Sequence, residues 1–224
     1  QKSVDIRPPV HPGSRRWPNF VNLSLRQDTS RVSPQFVDRS ILLRFLVQLD
    51  ETFSRPGRIY LIGETTQLLE GWRGWTEQVE FAAEIAEQDR QAFARAIHSV
   101  QSASAIQILD ESPVDVIPLP EGYEQRARPI TIPEADRQFG LRLFHFDPYS
   151  VAFRFLARGD EQDYRTVLDY LVHGWVTVEE MSAMLAELLP KFTSEVIQQD
   201  PAEFRRKYRG LLQMWRAQVK RSSR

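Results

Sequence analysis

From Arg58 to Gly63 the chain reads Arg-Ile-Tyr-Leu-Ile-Gly, a short apolar run that stops on glycine, and helical spacing begins at the next residue. So short and so apolar a run reads as a buried strand, and the glycine permits a sharp turn into the helix. Residues 64–72 carry the helical spacing, and residues 77–85 alternate at Val79 and Phe81 as a second strand does. A strand, a helix and a strand in fewer than thirty residues exclude an all-helical bundle and put a sheet at the centre of the fold.

The flanking segments fill in the order. Ser33-Pro34 offers a capping hydroxyl and a first-turn proline, and Val37, Ile41, Phe45 and Leu49 then recur every four residues. This predicts a helix over 34–54, closed by Pro56-Gly57. A helix over 87–102, a strand at 105–109, a short strand at 114–117 and strands at 129–132 and 140–146 follow. After Asp147-Pro148 only helical spacing remains, over 148–158, 160–173, 177–189 and 200–220. Residues 1–33, with Pro8, Pro9, Pro12, Gly13 and Pro18, show no sustained period and read as an arm, with one alternating piece at 20–25. The fold class is α+β, in three parts: an N-terminal arm (1–33), an α/β core (34–146) and a C-terminal helical region (147–224).

Composition narrows the chemistry. With no cysteine among 224 residues, a disulfide framework and a thiolate zinc site are both excluded. His11, His98, His145 and His173 are scattered, with no pair at metal-ligand spacing. No stretch approaches the roughly 18 apolar residues that a membrane helix needs, and no signal-peptide pattern is visible. A cytoplasmic protein without membrane contact is expected. The net charge of −1 hides an asymmetry: residues 1–33 carry +4, residues 204–224 carry +8, and the body between them carries −13. Basic ends on an acidic body fit either contact with a polyanion, such as RNA, or docking of the ends onto the body or a protein partner. In the last helix Phe204, Tyr208, Leu211, Leu212 and Trp215 form an apolar stripe. Arg205, Arg206, Lys207, Arg209, Arg216 and Lys220 are the residues that would face nucleic acid or a partner.

The segment from Tyr60 through Gly63, Glu64 and Thr65, followed by Arg73, Thr76 and Gln78-Val79-Glu80, resembles the nucleotidyltransferase superfamily. The similarity is to the uncharacterised bacterial nucleotidyltransferase-like proteins related to AbiEii-type toxins of toxin–antitoxin systems. Their pattern runs from a strand through Gly-Gly or Gly-Ser into a helix, then Arg, Thr and an Asp-x-Asp pair on the next strand. Ser112-Pro113-Val114-Asp115-Val116-Ile117-Pro118, the Leu119-Pro120-Glu121-Gly122 turn and Glu124-Gln125-Arg126 are similar to further pieces of that group. So are Asp147-Pro148-Tyr149, Phe155-Leu156-Ala157-Arg158 and Asp163, in the same order. The resemblance implies a nucleotidyltransferase-like mixed sheet flanked by helices, with a C-terminal helical bundle. It also implies a cleft in which Gln78, Glu80 and Asp115 stand at the catalytic positions and Glu80 and Asp115 at the metal positions. Gly63, Glu64, Thr65, Arg73, Thr76, Arg154, Arg158 and Asp163 then fall at the nucleotide-binding positions.

The chemistry explains why such positions are two apart: residues i and i+2 of a strand share a face, and two carboxylates there can hold magnesium against nucleotide phosphates. This chain departs from the pattern at costly places. Glu64 stands where a small residue is expected, Gln78 and Glu80 replace two aspartates, Phe155 replaces a lysine and Thr166 replaces an aspartate. A neutral amide is a poor magnesium ligand, and Glu64 brings negative charge to a phosphate position. The expectation is a catalytically degenerate relative, a pseudoenzyme serving as a binding or regulatory module for nucleic acid or a protein partner, without cofactor. The alternative is an active, divergent enzyme using Mg2+ and an NTP to modify RNA or protein. Simpler roles stand beside these: Asp147 as a helix cap, Arg158 with Asp163 as a structural ion pair, and Trp72 and Trp75 as packing residues at the cleft.

Overall fold

The computed structural model describes residues 36–110, 117–132, 140–193 and 199–222. The predicted arm (1–33) and its alternating piece, the Ser33-Pro34 cap, most of the strand at 114–117, and Asp115 with it, lie outside the described residues. Within them the chain is a mixed α+β fold with eight α-helices and one five-stranded sheet, ordered β3-β2-β1-β5-β4 and not closed. The strands are β1 (Gly57–Leu61), β2 (Gln78–Glu84), β3 (Gln107–Asp110), β4 (Arg128–Pro129) and β5 (Leu141–His145). Antiparallel pairing joins β1 to β2 and β4 to β5, whereas β1 with β5 and β2 with β3 run parallel.

Strand alternation sorts the side chains into two cores. Ile59 and Leu61 of β1, Val79, Phe81 and Ala83 of β2, and Leu141 and Leu143 of β5 pack with helices α1 (Arg39–Phe53) and α3 (Arg90–Ser104). The opposite parity of β2 puts Gln78, Glu80 and Ala82 on the other face. There Ala82 joins a second core with α5 (Pro148–Arg158), α6 (Glu161–Val172), α7 (Val178–Leu188) and α8 (Pro201–Ser222). The C-terminal helices therefore form a layer on the sheet. The first core contains no residue from them, and the second is built mainly of them.

Several boundaries differ from the sequence reading, each for a local reason. Helix α1 begins at Arg39 rather than near Pro34, because Val37 exchanges both backbone hydrogen bonds with Thr76 in an isolated bridge. Asp38 then caps the helix by accepting from the Ile41 amide at 2.9 Å. The strand expected at 129–132 shrinks to Arg128–Pro129, with one further bond from the Ile130 amide to the Leu143 carbonyl. A one-turn helix, α4 (Tyr123–Arg126), stands where no element was predicted. The C-terminal helices match their predicted spans to within one or two residues.

The join between sheet and helical layer is made by Asp147, which is fully buried. Its carboxylate caps α5 through the Tyr149 and Ser150 amides at 3.3 and 3.2 Å and the Ser150 hydroxyl at 2.6 Å. Arg126 of α4 grips the same carboxylate with two parallel bonds, at 2.8 and 2.9 Å. The simple reading of Asp147 as a cap is thus met, with a charge partner added. A lost cap costs about 1 kcal/mol and a lost charged hydrogen bond about 1.5–3. Asp147→Ala should therefore lower stability to denaturant by about 3 kcal/mol, and Asp147→Asn, which keeps an oxygen for the amides, by about half as much. A loss under 1 kcal/mol for the alanine variant would refute this account.

Candidate functional site

A cleft of about 410 Å3 opens between the start of α2 (Gly63–Leu69), the start of β2 and the α5–α6 corner. Glu64, Arg73, Trp75, Gln78, Glu80, Phe155, Arg158, Gln162, Asp163 and Thr166 line it. Of the residues that sequence reasoning grouped, this cleft gathers Glu64, Arg73, Gln78, Glu80, Arg158 and Asp163. Gly63, Thr65 and Thr76 stand directly behind them, through the contacts described next.

Gly63 has φ +55, a conformation open to glycine and strained for other residues. Its bare Cα lets two groups crowd in: a Cβ there would lie 2.4 Å from the Phe155 ring and 2.6 Å from Glu80 Oε2. The Thr65 hydroxyl accepts from the Glu80 amide at 2.7 Å, and the Ile62 amide donates to the Glu80 carbonyl at 3.1 Å. These bonds pin β2 against the turn into α2, so the Glu80 side chain, 3% exposed, sits beneath the turn. Gln78 and Glu80 do share a face, as the spacing of two requires, and Gln78 Nε2 donates to Glu80 Oε1 at 3.0 Å. One carboxylate oxygen is thereby engaged by an amide. Among the described residues no group of three His, Asp or Glu side chains stands close enough to hold a metal ion. Asp115, the residue expected to share the metal position with Glu80, lies outside the described residues.

Glu64 occupies the heart of the cleft. Arg73 Nη1 approaches its Oε1 at 2.6 Å and Gln162 Nε2 donates to the same oxygen at 2.9 Å. The Thr76 hydroxyl lies 2.9 Å from Oε2 and 3.1 Å from the Gln78 carbonyl, with one proton for the two acceptors. Arg73 is further fixed by its Nε bond to the Trp75 carbonyl at 2.8 Å. Gln162 was not singled out from sequence. It lies 98 residues from Glu64, on a different helix, and no local pattern announces it.

The other candidate residues differ in their contacts. Arg158 and Asp163 form an ion pair at 2.6 Å, and Asp163 also accepts from the Asp160 amide at 3.1 Å, closing the start of α6. The pair spans the α5–α6 corner at Gly159, and the Arg158 guanidinium lies 4.5 Å over the Phe155 ring. Arg154 is buried within α5 and does not line the cleft. Trp72 packs as the simpler reading held, edge-on to Tyr170 and Trp175 and stacked on His173 at 4.1 Å. Trp75 does not: it is 48% exposed at the cleft rim, with the Phe36 ring against it at 4.5 Å. Lys207, grouped by sequence with the outward cations, turns inward instead, and its ammonium hydrogen-bonds the Ala157 and Arg158 carbonyls at the end of α5.

Behind α2, His145 at the end of β5 is 4% exposed. Burial, reinforced by the charge of Arg128, lowers its imidazole to about 4. Glu70 Oε1 stands 3.0 Å from Nε2 and favours the charged ring, but it is 35% exposed and screened, and desolvation dominates. The ring is neutral at pH 7, donating through Nε2 to Glu70 with Nδ1 facing the Thr66 hydroxyl at 3.2 Å. An unfolded histidine takes its proton near 6.5. Between 6.5 and 4 the unfolded state therefore binds more protons, and stability falls as the pH is lowered through that window. From pH 7 to 5 the wild type should lose about 2 kcal/mol more stability than His145→Asn. Equal losses in the two proteins would contradict the buried neutral ring.

Comparison of the chain with family models, with curated proteins and with solved structures finds no match.

Proposed function

We propose that this chain is a nucleotidyltransferase-fold protein whose catalytic site is degenerate, kept as a binding or regulatory module for a nucleic acid or protein partner. The observation that carries the reading is the Glu64 carboxylate. It sits among Arg73, Thr76 and Gln162, the donors that would otherwise be offered to a nucleotide phosphate. A carboxylate at 2.6 Å from a guanidinium is an anion already delivered, and it costs no binding entropy because it belongs to the chain. A phosphate entering the same place would meet like charge and would have to displace a charge-assisted bond.

Two further features support it. Phe155, at the position where the resemblance implies lysine, lays an apolar ring on Gly63 and contributes no cation. Among the described residues the cleft lining carries five carboxylates (Glu64, Glu77, Glu80, Asp160, Asp163) against two guanidiniums (Arg73, Arg158), a field that opposes a polyphosphate. Nor do Gln78 and Glu80 offer a metal pair able to reverse it, since an amide has replaced one charge and hydrogen-bonds the other. An active magnesium-dependent enzyme that transfers a nucleotide to RNA or protein is the competing outcome, favoured by the cleft remaining open at about 410 Å3.

Titration calorimetry of magnesium-ATP and the other NTPs into the purified protein separates the two. The degenerate reading predicts no saturable heat with Kd tighter than about 100 μM, an affinity near −5.5 kcal/mol. Binding below that value, with label transferred from an NTP to RNA or protein and abolished by Glu80→Gln, would establish the enzyme instead.

A further inference from the structure

Helix α8 carries a line of cations that the rest of the fold leaves uncommitted. At 3.6 residues per turn, Arg205, Arg209, Arg216 and Lys220 fall within a sector of about 60°, over a length of about 22 Å. All four are exposed. The buried residues Phe204, Tyr208 and Leu211 lie roughly 120° round the helix and fasten it to the second core. The neighbouring bases behave differently. Lys207 is spent on the carbonyls of α5, and Glu203 stands 3.5 Å from Lys207 and 3.9 Å from Arg206. Among the described residues, Arg205, Arg209, Arg216 and Lys220 form no ion pair, and no acid lies on the helix beyond Glu203.

We infer that this stripe is a docking surface for the phosphate backbone of a duplex nucleic acid. Four aligned, hydrated cations on a rigid rod match a row of phosphates, and releasing the counterions condensed on a duplex supplies the free energy. Single-strand binders add aromatic platforms on which bases stack. Here Phe204, Tyr208 and Trp215 face the protein core, so the stripe offers charge without stacking. An anionic membrane would attract the same charges, but lodging at a bilayer needs a continuous exposed apolar face. On α8 Phe204, Tyr208 and Leu211 are packed on the second core, and the exposed Met214 and Val219 lie about 140° apart round the helix. The contact is to backbone and positions the protein without reading sequence. It stands whether or not the cleft is degenerate, because it shares no residue with the cleft.

Fluorescence anisotropy of labelled 20-base-pair duplexes of RNA and of DNA with the full chain tests it, beside the single strands and vesicles containing anionic lipid. Saturable duplex binding is expected at 50 mM salt. With about four phosphates neutralised, the slope of log K against log salt should be about −3 to −4. Arg209→Glu/Arg216→Glu should weaken binding at least tenfold and Arg209→Gln/Arg216→Gln less, both with unchanged circular dichroism. A preference for RNA or DNA duplex would name the source, and equal binding would mark pure backbone recognition; either supports the inference. No saturation by about 100 μM, a slope flatter than −1, unchanged affinity in the glutamate variant, or equal or tighter binding to single strands or vesicles would overturn it.

Discussion

The contact on which the cleft depends is the meeting of Gly63, Glu80 and Phe155. A left-handed residue at the start of α2 turns the chain out of β1, and its missing Cβ is the space into which the Glu80 carboxylate and the Phe155 ring are pressed. That one turn ties together three parts: β1 and α2, the partner strand β2, and the helical layer through α5. It also sets the direction in which Glu64, the next residue, projects, and so brings it to Arg73, Thr76 and Gln162. The carboxylate at this corner of the cleft is thereby paired with groups the chain itself supplies.

The helical layer serves the same end. Asp147, doubly gripped by Arg126, starts α5 at a fixed place, and Arg158 with Asp163 fixes the turn from α5 into α6. Gln162 is thereby held on the first turn of α6, within 2.9 Å of Glu64. Lys207 of α8 closes the far end of α5. The acidic and basic side chains of this region are largely consumed in placing helices, which leaves the outer stripe of α8 as a concentration of charge with no such duty.

Much of this was legible in the sequence because it is local. The apolar run ending on Gly63 marked β1 and the turn, alternation put Gln78 and Glu80 on one face, and Asp147-Pro148 marked the start of α5. What was not legible is long-range. Val37 carries a helical spacing, yet its backbone is taken by Thr76, and that pairing postpones α1 to Arg39. β4 is two residues long, too short for alternation to mark, and its place depends on β5. The charge of Glu64 was visible at once, but its pairing with Arg73 and its hydrogen bond from an amide 98 residues away were not. Lys207 looked like its neighbours, and only the geometry of α5 separates it from them.

If Glu64 stands in for an external anion, removing it should expose the vacated position. Titration of inorganic pyrophosphate into Glu64→Ala should reveal an anion site that the wild type lacks, and adding Arg73→Ala should abolish it again. If Glu64→Ala folds and binds pyrophosphate no better than the wild type, the carboxylate is not occupying an anion position and the account fails.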